Sequence, residues 1–461
     1  MTYSIVDISH DEEQSIEEPA YQSKPPDNLI STSFLMELIC ERDNLNLAYK
    51  RVYQNKGIAG FDKITVSQLP EWIKKNKEEF IGSLLDGTYR PRPVKGIYIS
   101  KPKGRGARCI GVLSVIDRLV QNAIFQIISD SIDSTFSDNS YGFRKNRGAL
   151  NAIQQTRKYI LDGYKYVADI DIEKFFDNIH HDKVMYKLSM FVRDKRVLAI
   201  VRRFLQAGMW RYDLYIEKEK GIYQGGSLSP LLSNLLLHDI DVLLEKRGHV
   251  FCRYADDIKI FTRSLKAAER VLLSTSKYLS RNLRLKCNEK KTKACPVQFS
   301  EFLGYKMDDN ALLTATQENI DHLKYKVKKL TKRSRFIDVK VMIMELNQVI
   351  VGWTSYFRFD YRQETYREID TLLRRRIRAN IFRRAIVLRS KGLAWIRSIG
   401  CRNCNIDFAK TLWSYNLSIG RANYVIPNSW FLSNNLRSVL QCKEKYRQSE
   451  IIFGSSEQSS S

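Results

Sequence analysis

The sequence contains no run of about 18 uninterrupted apolar residues, which is the shortest stretch that crosses a membrane as a helix. Its first residues include acids where a secretory signal peptide carries basic residues. A disordered chain is excluded as well, because 43% of the residues are hydrophobic and 11% are aromatic. At roughly 100–200 residues per domain, the 461 residues predict two to four folded domains or lobes.

Paired metal-binding motifs are also missing. Eight cysteines are scattered along the chain, and only Cys401 and Cys404 form a CxxC pair. Neither a second CxxC nor a histidine pair follows to complete a zinc site. We therefore interpret the cysteines as reduced thiols of a cytosolic protein.

Acidic residues are scarce relative to basic ones. The chain has 76 Lys and Arg against 51 Asp and Glu, a formal charge of +25. Such an excess costs self-repulsion, which binding to phosphates relieves. Nucleic acid is the favoured partner, and an acidic membrane surface is the alternative.

The composition and the spacing of apolar residues change several times along the chain. Residues 1–27 are acidic and predict a disordered tail, and helical periodicity follows. Short apolar runs within 97–113 predict a hairpin with a basic, glycine-containing tip. Short apolar strands are predicted at 164–172, 250–254 and 258–261, with helices between them. We expect an α+β sheet domain whose strands end at Tyr305.

The segment 321–400 is strongly basic. It holds 20 Lys and Arg against 7 Asp and Glu, a net charge of +13. Apolar residues at helical spacing predict amphipathic helices at 321–333 and 369–389. A solvated helix face is the alternative to phosphate contact, which we favour because the charge is so poorly compensated. The candidate phosphate-binding residues off the apolar stripes are Lys324, Lys328, Lys329, Arg333, Arg374, Arg375, Arg376 and Arg378.

Two adjacent aspartates, Asp256 and Asp257, lie between two of the predicted apolar strands. Like charges held so close together need a cation, and an oxygen-only ligand set favours Mg²⁺. Asp171, at the end of another predicted strand, is the preferred third ligand, and Asp169 is the competing one. Two metal ions held by three carboxylates stabilise the charge that develops during phosphoryl transfer.

The motif Tyr254-Ala-Asp-Asp257 resembles the YxDD box of reverse transcriptases. Residues 171–181 resemble the first-aspartate motif of group II intron reverse transcriptases, and residues 224–234 resemble their QGG-x-x-SPLL-x-N box. Shorter matches follow the order of that family at 55–57, 141–144, 291–293 and 302–305. A match at 352–357 is similar to the maturase-specific region. The resemblance covers about residues 30–425.

This resemblance implies an α+β right-hand polymerase with fingers, an RRM-like palm built on an antiparallel sheet, and an α-helical thumb and maturase domain. The boundaries expected after the tail at 1–27 are 28–165 for the fingers, 166–310 for the palm with some fingers elements interleaved, 311–430 for the thumb and maturase region, and 431–461 for a C-terminal tail.

The resemblance also implies roles for individual residues. Asp171, Asp256 and Asp257 are expected to be catalytic and to hold two Mg²⁺ ions, for which Mn²⁺ can substitute. Phe176 is expected to be the steric gate that excludes a 2′-hydroxyl, with Phe175 as the alternative gate. The other expected substrate-binding residues are Lys101, Arg108, Arg144, Gln224, Gly225 and Lys291.

The implied function is RNA-directed DNA synthesis together with maturase activity that assists splicing and retrohoming. The implied partners are an RNA template, intron RNA, a DNA primer or target DNA, and dNTPs. We expect no membrane partner, a monomer or homodimer, and a location in the bacterial cytosol or nucleoid. A free-standing reverse transcriptase for defence or repair, and an RNA-binding splicing factor without polymerase activity, are the alternatives.

The chain departs from the family where proline is usual, and no Cys/His array of an HNH endonuclease follows the maturase-like region. None of the changed positions is an expected metal ligand. We therefore expect the chemistry to be retained, with fingers geometry and substrate preference altered. The residues that replace the usual prolines are Ser100, Cys109, Leu113, Lys145 and Tyr223.

Overall fold

The computed structural model describes residues 34–100, 107–211, 214–332, 334–388, 390–401 and 419–446. The expected N-terminal tail, the hairpin tip with Lys101, and Arg333 and Cys404 lie outside these ranges. The chain forms two compact units. The first comprises the described residues up to 147 with 170–258 and 270–293, and the second comprises 148–169, 259–269 and the described residues from 294 onward.

Ten helices are described up to residue 283. Ser114 and Asp194 are N-caps whose side chains accept a hydrogen bond from the helix backbone. Asp194 accepts from the amide of Arg196, at the start of a helix whose Val197, Ile200 and Phe204 are buried. The ten are α1 (Leu35–Cys40), α2 (Arg42–Gln54), α3 (Leu69–Leu85), α4 (Val115–Asp133), α5 (Ala149–Leu161), α6 (Phe175–Asn178), α7 (His181–Ser189), α8 (Lys195–Gln206), α9 (Leu228–Lys246) and α10 (Leu265–Leu283).

A four-stranded sheet of the first unit contains the predicted hairpin. The hairpin strands β1 (Val94–Ser100) and β2 (Ala107–Val112) pair antiparallel, with Ile97 opposite Ile110. Strand β1 also pairs in parallel with β4 (Met209–Arg211), which pairs antiparallel with β5 (Leu214–Ile216). The sheet order is β2-β1-β4-β5. The predicted hairpin is therefore confirmed over its described residues.

A second four-stranded sheet contains the predicted apolar strands. Its strands are β3 (Tyr166–Asp171), β6 (Val250–Tyr254), β7 (Asp257–Thr262) and β8 (Lys293–Pro296), in the order β6-β7-β3-β8. Residues 167–170 of β3 and 258–262 of β7 are buried. Each of these two strands has a partly exposed aspartate at one end, Asp171 in β3 and Asp257 in β7.

The expectation that strands end at Tyr305 is wrong. Three short strands, β9 (Glu301–Phe302), β10 (Tyr305–Met307) and β11 (Leu313–Ala315), form an antiparallel sheet in the order β11-β10-β9. Strand β11, which begins after Tyr305, has only three residues. A segment so short carries too few alternations to be recognised.

The helices of the second unit after residue 315 form the basic region. They are α11 (Gln317–Leu330), α12 (Val339–Tyr356), α13 (Gln363–Val387), α14 (Ser390–Ser398), α15 (Ile419–Val425) and α16 (Asn428–Ser433). Part of the expected C-terminal tail is packed rather than loose, because Leu436 and Val439 are buried. The Asp370 carboxylate accepts hydrogen bonds from Ser438 Oγ and from the Val439 amide.

Candidate active site and nucleic-acid interface

The three predicted aspartates lie at the ends of strands. Strand β3 ends at Asp171, and its neighbour in the sheet, β7, begins at Asp257. Asp256 lies in the turn between β6 and β7, and all three residues are partly exposed. The sheet thus leaves carboxylates accessible at strand ends, as the sequence predicted for a cation site.

The turn that carries Asp256 is tight. Ala255 has a φ of 56°, in the left-handed region that residues with a Cβ rarely adopt. Gly142 packs against this turn so closely that a Cβ added there would lie 2.4 Å from the Ala255 nitrogen. Only glycine permits such a close approach. The Tyr141-Gly-Phe-Arg144 motif therefore packs directly against the turn of the YxDD motif.

Asp171 is held by the segment that contains Lys291. Lys291 Nζ lies 3.0 Å from Asp171 Oδ1, and the two side chains are 65% and 36% exposed. The Asn288 amide donates to the Asp171 carbonyl at 2.8 Å, and Thr292 Oγ1 lies 3.3 Å from the Asp171 nitrogen. The structure therefore places the predicted Lys291 beside an aspartate, at a solvent-accessible ion pair.

Asp169, the competing aspartate, has a different environment. Its carboxylate is 2.5 Å from Lys259 Nζ, and both side chains are largely buried, at 12% and 4% exposure. Ser300 Oγ donates to the other carboxylate oxygen at 2.9 Å. These contacts already compensate the charge of Asp169, which supports the choice of Asp171 as the functional residue.

The donor chemistry of Asp171, Asp256 and Asp257 fits a hard cation. Within the described residues, no three His, Cys, Asp or Glu side chains form a ready ligand cluster. An incomplete protein shell is the usual situation for Mg²⁺, which is bound by one or two carboxylates and takes its other ligands from water and substrate phosphates. Lys291, on a flexible and exposed side chain, can yield its place on Asp171.

The candidate phosphate-binding residues of helices α11 and α13, in the second unit, fall into two groups that differ in exposure. Lys328, Lys329 and Arg375 are exposed, while Lys324 and Arg374 are partly exposed. Lys324 Nζ lies 3.9 Å from a carboxylate oxygen of the exposed Glu368. This group has the exposure that contact with phosphates requires.

The second group is structural, which corrects the prediction that the four candidate arginines at 374–376 and 378 all lie off the core. Arg378 is 5% exposed, and it donates to the Ile426 carbonyl at 2.9 Å and to Asn428 Oδ1 at 3.0 Å. Burial lowers its pKa to about 10. Arg376 donates to the Lys328 carbonyl and to Thr331 Oγ1, both at 3.1 Å, at the C-terminal end of α11.

Comparison with known families matches two parts of the chain. Residues 99–307 match the family described as reverse transcriptase (RNA-dependent DNA polymerase). Residues 320–393 match the group II intron maturase-specific domain. The chain carries both domains of the group II intron reverse transcriptase-maturases. The predicted family and right-hand polymerase fold class are thereby confirmed.

The chain is also similar to individual proteins and to a solved structure. The group II intron-encoded protein LtrA of Lactococcus lactis subsp. cremoris is 32% identical over 207 residues, which are 45% of this chain and 34% of LtrA. Protein YkfC of Escherichia coli (strain K12) is 27% identical over 314 residues, 59% of this chain and 82% of YkfC. A telomerase structure from Candida albicans has a TM-score of 0.40 at 12% identity, covering 70% of this chain and 67% of that one. The matched part of the chain thus spans about a third of LtrA.

In the reverse transcriptase domain, the two adjacent phenylalanines have separate environments. Phe175 is 2% exposed, whereas Phe176 is partly exposed. Their rings meet edge to face at 5.2 Å, and the Phe176 carbonyl accepts a hydrogen bond from the Ile222 amide. Phe175 therefore fills the core, whereas Phe176 remains partly exposed to solvent.

Gln224 and Gly225 lie against the hairpin of β1 and β2. The Gln224 carbonyl accepts a hydrogen bond from the Gly111 amide at 3.2 Å. Gly225 has a φ of 121°, and a Cβ there would lie 2.9 Å from the Gly111 carbonyl oxygen. The second residue of the QGG motif is thus fixed as glycine by its backbone.

Tyr223 replaces a usual proline and belongs to a small packed group. Its ring lies beside Gly111, and Lys218 Nζ is 3.2 Å from the ring centroid. Burial lowers the pKa of Lys218 to about 8. The aromatic ring of Tyr223 and the ammonium group of Lys218 thus lie where the family usually has a proline.

Two other predicted substrate residues are placed differently. The Arg144 side chain is 5% exposed, pairs with Asp133 at 2.8 Å and donates to the Ser140 carbonyl at 3.0 Å. Its donors therefore hold its own loop. Arg108 lies in β2 opposite Ile99.

Sequence reading missed Thr292 and Arg253. Thr292 lies within the family match at 291–293, but that match gives it no role, because its contact with Asp171 joins distant segments. Arg253 did give a signal: a charged residue beside Phe251 and Cys252 in a buried strand needs a partner.

No helix among the described residues has the length and apolar character that a membrane span requires.

Proposed function

We propose that this protein is an RNA-directed DNA polymerase of group II intron type, which extends a primer 3′-hydroxyl with dNTPs on an RNA template. The observation that carries the proposal is the position of Asp171 and Asp257 at the ends of neighbouring strands, with Asp256 in the adjoining turn. The matched reverse transcriptase domain supports it.

In this proposal Asp171, Asp256 and Asp257 hold two Mg²⁺ ions, with Mn²⁺ as a substitute. When bound, the ions stabilise the negative charge that develops on the attacking and leaving oxygens. The chain contributes the geometry: a turn fixed by Gly142 and a strand end anchored through Asn288 orient the carboxylates. Phe176 orients the sugar, and Gln224 and Gly225 approach the template base pair.

Maturase activity is the second part of the proposal. The exposed basic residues of α11 and α13 lie within the maturase-specific match and are free of the structural contacts that occupy Arg376 and Arg378. They suit the phosphates of a folded RNA. The partners proposed are therefore template RNA, intron RNA and primer or target DNA, in the bacterial cytosol.

Primer extension on an RNA template with Mg²⁺ tests the polymerase proposal. Asp256→Ala is expected to abolish extension while RNA affinity changes by no more than a few-fold, because Asp256 holds metal and does not contact the phosphodiester backbone. Asp256→Ala with the activity of the wild type contradicts the polymerase assignment. A wild-type protein that binds RNA and never extends a primer favours the splicing factor.

A further inference from the structure

A fully buried ion pair lies behind the aspartate turn, in the first unit. Arg253 of β6 and Asp241 of α9 are both 0% exposed. Arg253 Nε lies 2.7 Å from Asp241 Oδ1, and Nη2 lies 2.5 Å from Oδ2, so the contact is bidentate. A pair of this kind costs desolvation free energy, and apolar residues of similar volume often stabilise a fold equally well. Stability alone is a weak reason for its presence.

The remaining donor group of Arg253 points to the turn. Nη1 donates to the Ala255 carbonyl at 3.1 Å and to Asn234 Oδ1 at 2.8 Å. Ala255 directly precedes Asp256 and has the left-handed φ described above, which costs about 1 kcal/mol. The hydrogen bond to its carbonyl helps to hold that conformation.

The network also reaches the glycine that packs on the turn. Asn234 Nδ2 donates to the Gly142 carbonyl at 2.8 Å. The backbone of Arg253 pairs with the same loop, since the Tyr141 amide donates to its carbonyl at 2.8 Å and its own amide donates to Asn139 at 2.9 Å. One arginine thus links α9, the 139–142 loop and the aspartate turn.

We propose that Arg253, held by Asp241 and Asn234, is a positioning residue that fixes the turn carrying Asp256 and Asp257. Its catalytic consequence rests on the proposed function, whereas its structural consequence does not. A misplacement of about 1 Å in a reacting geometry costs about 10²-fold in rate. Arg253 acts only through the turn and touches no substrate.

The decisive variant is the double replacement Arg253→Met/Asp241→Leu, which removes both charges and keeps the volume. We expect it to fold with a melting temperature within a few degrees of the wild type. Its kcat for primer extension should fall about 10²-fold, while the KM for primer-template stays within twofold. Hydrogen exchange at residues 254–257 should become faster, and exchange in α4 should not change.

Two further variants complete the experiment. Arg253→Lys keeps the charge opposite Asp241, but one ammonium cannot replace a planar fork that reaches three partners, so it should show the same faster exchange at the turn. It serves as the test if the double variant does not fold. The matched control is Asp239→Asn. Asp239 lies in α9, as Asp241 does, and its replacement removes an ion pair with Lys187 of α7. This variant should leave the exchange at 254–257 unchanged.

A folded double variant with wild-type kcat and unchanged exchange at 254–257 overturns the proposal, as does a fall in kcat without faster exchange. Failure of the proposed function gives a separate result. In that case the wild type extends no primer, but the exchange experiment still decides whether Arg253 holds the turn.

Discussion

Two buried arginines, Arg253 in the reverse transcriptase domain and Arg378 in the maturase-specific domain, show how differently the two regions use positive charge. Arg253 pairs with a carboxylate and reaches the turn that carries two aspartates. Arg378 has a carbonyl and an amide as partners, and no carboxylate is found among its described contacts. The net charge of the helical region therefore overestimates how many basic side chains can contact phosphates, because some of them, such as Arg378, are buried and bonded within the protein.

The largest expected effect separates the two aspartates of β3. Asp171→Ala should lower primer extension by about 10³-fold or more, because a metal ligand is lost, with little change in melting temperature. Asp169→Ala should instead destabilise the fold by about 3–5 kcal/mol, because it removes the carboxylate that pairs with the buried Lys259. Primer extension and thermal unfolding of both variants check the comparison. If Asp169→Ala is the more damaging to activity in a folded protein, the choice of Asp171 is wrong.

A second prediction tests the division of the arginines of α13. Arg378→Ala should lower the melting temperature, since it removes two hydrogen bonds, one of them to the carbonyl of the fully buried Ile426. Arg375→Ala should leave the melting temperature unchanged and weaken binding of a structured RNA. Each lost phosphate contact should reduce the slope of log K against log salt by about 0.7–0.9.

Filter binding at several salt concentrations measures these slopes. Combining Arg375→Ala with Lys328→Ala and Lys329→Ala should reduce the slope further, while extension of a pre-annealed primer at saturating enzyme changes much less. An unchanged slope in the folded triple variant would mean that this face is merely solvated.

A third prediction concerns the two phenylalanines. Phe176→Val should admit ribonucleotides, because removal of the ring opens space where a 2′-hydroxyl would lie. Phe175→Leu should affect stability instead, since that ring is in the core. Competition between dNTP and rNTP measures the first effect, and unchanged discrimination in Phe176→Val would make Phe175 the next candidate gate.

The smallest expected effect is a pH dependence in the reverse transcriptase domain. Burial lowers the pKa of His238 to about 4, with the nearby Arg253 charge acting in the same direction. Because the folded state favours the neutral ring, its contribution to stability is present above pH 6.5 and is lost as the pH falls from about 6.5 to about 4. Between about pH 6.5 and pH 4, the unfolding free energy of His238→Leu should fall by about 1–3 kcal/mol less than that of the wild type. The exposed His322→Gln is the control, and equal pH profiles for His238→Leu and the wild type would refute the assignment.

The sequence predicted the three strands that flank the aspartates because their apolar patterns are local. Apolar strands flanking Asp256 and Asp257 limit where these residues can lie, and the structure has β6 and β7 at the predicted positions. The contacts that hold them were beyond sequence reading: Lys291 and Thr292 reach Asp171 from about 120 residues away. The roles of the site residues and the domain boundaries stay predictions.

The helices were harder to interpret than the strands. On a helix, residues one position apart point in very different directions, so a run such as Arg374–Arg378 covers most of the circumference. Only the packing of residues 426–428 against α13 reveals that Arg378 faces inward. A charged side chain at the edge of an apolar stripe can be structural or exposed, and periodicity does not distinguish the two.

The tight contact at Gly142 bears on how relatives of this chain should be sorted. A homologue with alanine at that position would keep every aspartate and pass any search for the YxDD motif, yet its turn would have to shift to admit a methyl group. Loss of activity in such a protein would be invisible to a motif scan. The residue that distinguishes a working copy from a degenerate one can therefore lie more than a hundred positions before the motif by which both are recognised.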